Sequence, residues 1–165
     1  SLGQGISAAC GMALGAKHAG KPINVFAIVG DGEVEEGECW EAFMFAAHYG
    51  LSNLCVFLDR NRLQIDGSTE TVMSSEPLEE KMKAFNFNVR TINGHDYDQI
   101  EAAIQAFHAE NDKPTCIIMD TTKGKGVSFM SNSVDWHGKG PNDDEYKVAM
   151  EELNAAYAAL EQEEK

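Results

Sequence analysis

Two polar residues, Asp31 and Asn61, follow apolar runs of the sequence and are the first candidates for chemistry. Asp31 is the centre of "GDG" after the run "PINVFAIV" (22–29), and Asn61 ends "DRN" after "LCVFLD" (54–59). The carboxyl ends of neighbouring parallel strands meet at one edge of a sheet, where ligands bind. If a single helix crosses between these two strands, Asp31 and Asn61 emerge at the same edge and can share one ion.

Carboxylate and amide oxygens are ligands that a hard divalent cation prefers. Asp31, Asn61 and the backbone carbonyl of Leu63 would supply three oxygens, and Mg²⁺ would take its remaining ligands from phosphate and water. Gly30 and Gly32 would let the backbone approach a phosphate closely. The residue types therefore predict a cation site that holds a phosphorylated ligand.

A plain structural interpretation competes with this one. "GDG" alone is more often a tight turn, and Asn61 alone is more often a loop cap. The ordered set of strand, turn, helix, second strand and asparagine is much more specific than either piece.

The elements that must position these residues alternate along the chain. Strand-like runs lie at 22–29, 54–59, 87–92 and 115–120, and helical stretches lie at 3–19, 36–49, 76–85, 96–110 and 143–161. Alternation of this kind predicts an α/β fold, a mainly parallel sheet with helices on both faces. The glycine-rich stretch 123–142 is the long irregular segment, and we expect it to be functional or mobile.

Composition narrows the candidate partners and the cellular location. The 165 residues carry a formal net charge of −14, which disfavours nucleic acid and anionic membranes as partners. The four cysteines lack metal-site or redox spacing and are expected to be reduced core residues of a cytoplasmic protein. No apolar run is long enough to span a membrane. A single domain over 1–165 is the default expectation.

Five motifs together identify a resemblance. The chain carries "SLGQGIS", "GDGEVEEGECWEA", "DRNRLQIDG", "TTKGKGVSFM" and "DWHGKGP" in this order. The segment from "GDG" to the asparagine thirty residues after Asp31 resembles the thiamine diphosphate signature, and the five motifs resemble those of transketolases over essentially the whole chain. The resemblance implies the diphosphate-binding domain of the thiamine diphosphate-binding fold.

The resemblance also implies a set of cofactor and metal residues. The metal, Mg²⁺ or alternatively Ca²⁺ or Mn²⁺, would be held by Asp31, Asn61 and the Leu63 carbonyl. The cofactor thiamine diphosphate would lie against residues from separate parts of the chain: Leu2, Gly3, Gly30, Asp31, Gly32, Glu33, Asn61 and His137.

Three residues are implied to take part in catalysis. Glu36 resembles a glutamate of the subunit interface that communicates with the cofactor-activating glutamate, although its place at a helix start is equally explained by capping. His137 resembles a histidine near the reacting carbon, and imidazole can shuttle a proton near neutral pH. Lys123 resembles a lysine at the substrate entrance, and a solvated loop lysine is about as good an interpretation.

The chain departs from the family in lacking a pyrimidine-binding domain and the segment that normally precedes "SLGQGIS". The sequence therefore predicts an amino-terminal component of a split transketolase, or part of a longer chain. It would need a carboxy-terminal transketolase subunit carrying the pyrimidine-binding domain, in a dimer or higher assembly.

The predicted reaction moves a two-carbon ketol unit from a ketose phosphate to an aldose phosphate. The alternatives are another thiamine diphosphate enzyme, such as 1-deoxyxylulose-5-phosphate synthase or a 2-oxo acid dehydrogenase component, and a noncatalytic binding subunit that retains the fold. "WHGKGP" and "GEVEEGECWEA" favour transketolase over the first two.

Overall fold

The computed structural model describes residues 1–163, in two compact units. The first unit comprises residues 1–62 and 69–121, and the second comprises 63–68 and the segment that begins at 122. Residues 164 and 165 lie outside the described residues.

The first unit alternates helices and strands as predicted. In chain order its elements are α1 (Gln4–His18), β1 (Val25–Gly30), α2 (Gly37–His48), β2 (Leu54–Arg60), α3 (Thr69–Val72), α4 (Leu78–Ala84), β5 (Asn88–Asn93), α5 (Tyr97–His108) and β6 (Thr115–Asp120). The second unit contributes the short strands β3 (Leu63–Gln64) and β4 (Gly67–Ser68). A 3₁₀ turn at Glu33–Glu35 lies between β1 and α2.

The four long strands form one parallel sheet in the order β1, β2, β6, β5. β1 and β2 are direct neighbours, in the register that pairs Val25 with Leu54 and Gly30 with Asp59. α2 is thus a single crossover between adjacent strands, as the sequence predicted, and the residues that follow Gly30 and Arg60 emerge at one edge of the sheet.

Helices cover both faces of the sheet, which confirms the predicted architecture. On one face α1, α2 and α4 pack on the sheet around a core that includes Ile6, Phe43 and Met82. On the other face α5 contributes Ala103 and Phe107, which pack against alternate residues of β2 and β6. Burial of β2 and β6 on both faces explains their nearly continuous apolar runs, whereas β1 leaves Phe26 and Ile28 exposed on one face.

Two local predictions need correction. The first strand begins at Val25 rather than at residue 22, because pairing with the neighbouring strand starts where the Val25 N–H donates to Asn53 O at 2.8 Å. The short helix α3 was not predicted, since four residues carry too little periodicity to show.

The second unit is built from a small hairpin and one long helix. β3 and β4 form an antiparallel pair, which was not predicted. A 3₁₀ turn at Val134–Trp136 interrupts an irregular stretch, and α6 runs from Asp143 to Glu163.

All four cysteines are buried and none forms a disulfide, as predicted for reduced core residues. Within residues 1–163, no helix combines the length and the apolar character that a membrane crossing requires.

Candidate functional site

Asp31 lies at the carboxyl edge of the sheet, directly after β1, and is almost fully buried, with 2% of its surface exposed. Its backbone N–H donates to Asp59 O at 3.0 Å. Its Oδ1 accepts from Gly32 N at 2.9 Å and its Oδ2 accepts from Arg62 N at 2.5 Å. The residue therefore contacts the end of β2 on both sides of Asn61.

The surroundings of Asp31 disfavour its negative charge. Burial raises its pKa above the ordinary value, the N–H groups of Arg62 and Gly32 lower it, and the charge of Asp59 raises it again. Among the described residues, no lysine, arginine or histidine forms an ion pair with this carboxylate. A bound cation would supply the missing positive charge.

Arg62 reaches Asp31 through its backbone and adopts an uncommon conformation to do so. Its φ is 64°, in the left-handed region that non-glycine residues seldom enter. Its peptide groups are held on both sides, since N donates to Asp31 and its carbonyl accepts from Thr69 N at 3.0 Å. Nothing in the residue type at position 62 predicted this role.

Asn61 is oriented by a carboxylate two residues before it. Its Nδ2 donates to Asp59 Oδ2 at 3.4 Å, and Asp59 Oδ1 accepts a short hydrogen bond from the Thr121 hydroxyl. This bond engages the amide nitrogen of Asn61. Asp59 was not singled out in the sequence, although its place at the end of a buried strand is a signal that could have found it.

Arg60 ties the ends of β2 and β6 together beside this group. Its Nε and Nη2 donate to the two carboxylate oxygens of Asp120 at 2.7 and 2.9 Å, and Nη1 donates to Glu76 at 3.4 Å. The Arg60 hydrogen bond is the main cause that lowers the pKa of Asp120. This bidentate pair fixes the strand ends from which Asn61 and Thr121 continue.

Glu33, predicted to lie at the cofactor, accepts hydrogen bonds from two separate parts of the backbone. Its Oε1 accepts from Gly3 N at 3.0 Å and its Oε2 accepts from Gly30 N at 3.2 Å. Both oxygens are thus engaged with the protein backbone. Leu2, also predicted at the cofactor, is exposed beside this contact, and Gly3 has a φ of 83°.

Glu36 is exposed and precedes the first turn of α2. It occupies the N-cap position of α2 without a side-chain capping bond, where the helix dipole still favours a carboxylate. A Cβ placed on Gly3 would lie 3.2 Å from Glu36 Cβ, which puts Glu36 beside the start of the chain. Its predicted interface role stays a prediction.

Three predicted residues lie in the second unit. Leu63 begins β3. His137 is exposed and follows the 3₁₀ turn, where its N–H donates to Val134 O at 2.9 Å. Lys123 is half-buried, and its carbonyl accepts from Asn132 N at 2.8 Å.

The turn before His137 is anchored by aromatic packing. Trp136 Nε1 donates to Phe129 O at 3.0 Å, and the two rings lie 5.1 Å apart. Lys139 lies 4.3 Å over the Trp136 ring and also pairs with Glu145 at 3.2 Å. His137 therefore follows a turn that these contacts of Trp136 hold in place.

The donor chemistry in the first unit fits a hard cation. No group of three or more His, Cys, Asp or Glu side chains is arranged as a metal site in residues 1–163, so a metal here would rely on mixed donors. Asp31 offers a buried carboxylate without a cationic partner, and Asn61 offers an amide oxygen. Carboxylate with amide oxygen is a donor set suited to Mg²⁺ or Ca²⁺.

Comparison with known proteins gives the same family from sequence and from structure. The family described as "Transketolase, thiamine diphosphate binding domain" matches residues 1–160. The 6-deoxy-6-sulfo-D-fructose transketolase subunit SqwG of Clostridium sp. (strain MSTE9) is 42% identical over 93% of this chain and 56% of its own length. One of the subunits of apulose-4-phosphate transketolase from Actinobacillus succinogenes is 39% identical over 93% of this chain and 55% of its own.

A solved structure agrees with these relatives. The transketolase of Campylobacter jejuni superposes with a TM-score of 0.87 and 30% identity, over 93% of this chain and 25% of the other. The chain spans a little over half the length of the two curated relatives. The match over residues 1–160, together with these relatives, shows that the chain belongs to the transketolase family, as its thiamine diphosphate-binding domain.

Proposed function

We propose that this chain supplies the diphosphate and metal half of a thiamine diphosphate-dependent transketolase, and that a second subunit completes the enzyme. The observation that carries the proposal is the buried Asp31, which contacts both sides of Asn61 in a domain of this family. The assembled enzyme would transfer a two-carbon ketol unit from a ketose phosphate to an aldose phosphate.

The cation would be held by Asp31 and Asn61. The backbone of Gly32 offers close access to a diphosphate, because it has no side chain to intervene. The carbonyl of Leu63 joins this ligand set on the resemblance alone. Mg²⁺ is the favoured metal, with Ca²⁺ or Mn²⁺ as substitutes, since all three accept oxygen ligands.

When bound, the cofactor supplies an electron sink for the carbon that is transferred. The residues of this chain supply position and charge. His137 is exposed and follows the 3₁₀ turn at Val134–Trp136. We propose that it donates a hydrogen bond or a proton to a substrate oxygen. Lys123 is proposed to attract the substrate phosphate, and Glu36 to contact the partner subunit.

The relatives' names support a partner, because both curated relatives are named as subunits of a transketolase. They also bear on the donor, because the names mention a sulfofructose and apulose 4-phosphate, which are different ketoses. We therefore expect the donor to be a ketose. The acidic group that it carries would be identified by the ketose that is turned over. A cytoplasmic location stays a prediction.

The proposal predicts metal-dependent cofactor binding through Asp31. In the full-length chain assembled with its partner, Asp31→Asn should weaken thiamine diphosphate binding at least about a hundredfold, because the amide removes a charge that balances Mg²⁺. Isothermal titration with Mg²⁺, then after chelation with EDTA, measures this binding. The exposed Asp98→Asn is the matched control.

Activity separates the proposal from its rivals. The assembled protein should transfer a ketol unit from at least one ketose in a panel that contains xylulose 5-phosphate, with ribose 5-phosphate as acceptor. Turnover of pyruvate instead of every ketose would favour 1-deoxyxylulose-5-phosphate synthase or a 2-oxo acid dehydrogenase component. Unchanged cofactor binding by Asp31→Asn would favour a noncatalytic subunit that retains the fold.

A further inference from the structure

Glu33 joins two pieces of backbone that are far apart in sequence. Its Oε1 accepts from Gly3 N, immediately before α1, and its Oε2 accepts from Gly30 N, immediately before Asp31. A carboxylate that accepts from two backbone N–H groups makes charge-assisted hydrogen bonds, which are stronger than neutral ones. One side chain therefore fastens the start of the chain to the turn that carries Asp31.

The local structure holds Glu33 in place for this contact. Its own carbonyl accepts from Glu36 N at 3.1 Å and from Cys39 Sγ at 3.4 Å. The next residue, Val34, is fully buried in the core. The side chain thus starts from a fixed backbone, and reaching the two N–H groups costs little additional ordering.

Gly3 is shaped for the contact. Its φ of 83° suits a glycine, and an added Cβ would lie 3.2 Å from Glu36 Cβ and 3.6 Å from Cys39 Sγ. A side chain at residue 3 would therefore crowd the beginning of α2, and glycine avoids this. The Glu33 carboxylate adds the hydrogen bond that fixes this close approach.

Charge argues against direct contact between Glu33 and the cofactor. A diphosphate is anionic, and an acidic side chain in contact with it would repel it unless a cation lay between them. The residue is thus better suited to shape the pocket than to hold the ligand.

We propose that Glu33 is a positioning residue that fastens residues 1–3 to the Asp31 turn and thereby sets the affinity for thiamine diphosphate. This inference rests on the proposed function, because it assumes that the cofactor lies between these two segments. Loss of the bridge should leave the fold intact while the two segments move independently, so that cofactor binding must then order them.

The test uses Glu33→Gln in the full-length chain assembled with its partner. The glutamine oxygen can accept one N–H, but its NH₂ group opposes the other. We expect faster amide hydrogen exchange in peptides covering Gly3 and Gly30 before cofactor is added. The dissociation constant for thiamine diphosphate at saturating Mg²⁺ should rise about tenfold, the scale of one lost charged hydrogen bond.

Turnover distinguishes positioning from general damage. With saturating cofactor, kcat of Glu33→Gln should stay within about twofold of the wild type, because binding energy then restores the order. Glu41→Gln, an exposed neutralisation on α2, is the matched control and should change neither exchange nor affinity. If Glu33→Gln does not fold, Glu33→Asp keeps the charge but withdraws the oxygens by about 1.5 Å, and it should show the same loss of affinity.

The outcomes separate the two proposals. Wild-type protein that binds no thiamine diphosphate would overturn the proposed function and the affinity claim with it. Wild-type binding together with unchanged affinity or unchanged exchange in the folded Glu33 variant would overturn the role of Glu33 alone. A fall in kcat at saturating cofactor equal to the fall in affinity would also contradict it.

Discussion

Arg62 contributes to the candidate site through its main chain rather than through its guanidinium group. Its side chain is exposed and lies 3.8 Å from Asp120, a contact of little energetic weight. Its N–H, in contrast, donates to the buried Asp31 carboxylate at 2.5 Å. The backbone conformation at this residue is therefore the part that the site requires.

The effect of a substitution at residue 62 on cofactor affinity should depend on the backbone N–H and φ rather than on the side-chain charge. Arg62→Ala keeps the N–H and should leave metal-dependent cofactor affinity within about threefold of the wild type. Arg62→Pro removes the donor and fixes φ near −65°, which is incompatible with the observed 64°, and should lower affinity at least about tenfold. Titration of cofactor into both assembled variants checks this, and equal affinities would contradict the assignment.

At the scale of elements, the sheet was predictable and the connections were not. Parallel strands buried on both faces leave long apolar runs such as 115–120, and β6 has those bounds in the structure. The β3–β4 hairpin has strands of two residues each, too short for any periodicity. Only the "DG" pair gave a local signal, and its Asp66 ends the two-residue turn while Gly67 begins β4.

The residues of the candidate site also divide into those that the sequence predicted and those that it did not. The placement of Asp31 and Asn61 at one edge of the sheet was predictable, because each follows an apolar run of the parallel-strand type. The contributions of the Arg62 N–H and of the Arg60–Asp120 pair were not. They depend on the path of the backbone and on neighbours across the sheet, which a single sequence does not display.

The loop that carries Lys123 depends on a glycine that the structure explains sterically. Gly124 has a φ of 70°, and an added Cβ would lie 2.5 Å from Met130 O, a backbone atom that cannot move aside alone. Gly124→Ala should therefore lower the free energy of unfolding, measured by urea denaturation, by about 1–3 kcal/mol.

Gly138→Ala is the matched control for this loop, because no heavy atom lies within 4 Å of the added methyl group. It should change the free energy of unfolding by less than about 0.5 kcal/mol. Equal urea midpoints for the two variants would show that the turn at Gly124 opens freely in solution.

At the scale of the whole molecule, acid stability should depend on the Arg60–Asp120 pair. The hydrogen bond from Arg60 holds the pKa of Asp120 below its ordinary value of 3.8. A carboxyl group with a lowered folded-state pKa contributes stability that is complete above its unfolded pKa and is lost as pH falls through the folded value. Because Asp120 is half exposed, solvent screening reduces the size of this contribution.

The prediction concerns the difference between wild type and Asp120→Asn. The wild type should have the higher Tm by a constant margin from about pH 7 to pH 5, and the margin should shrink below about pH 4. Thermal unfolding across this range measures it, with Asp98→Asn as the exposed control. A margin that stays constant down to about pH 2 would contradict the assignment.

The net charge of −14 favours a bound cation wherever this chain is to hold an anionic diphosphate. A diphosphate that approaches an acidic surface is repelled unless a positive charge is bound first. The metal would thus offset the negative charge of the whole molecule as well as that of its own ligands.

The four sequestered cysteines make thiol modification a measure of how often the interior opens. Burial raises the pKa of Cys10 and Cys39 to about 11 and that of Cys55 to about 12, so almost none of these sulfurs is in the reactive thiolate form near neutral pH. An alkylating reagent can modify them only in molecules whose interior has opened. The rate of modification would then measure how often the interior opens. A lower rate with added cofactor and magnesium would measure how far ligand binding suppresses this opening.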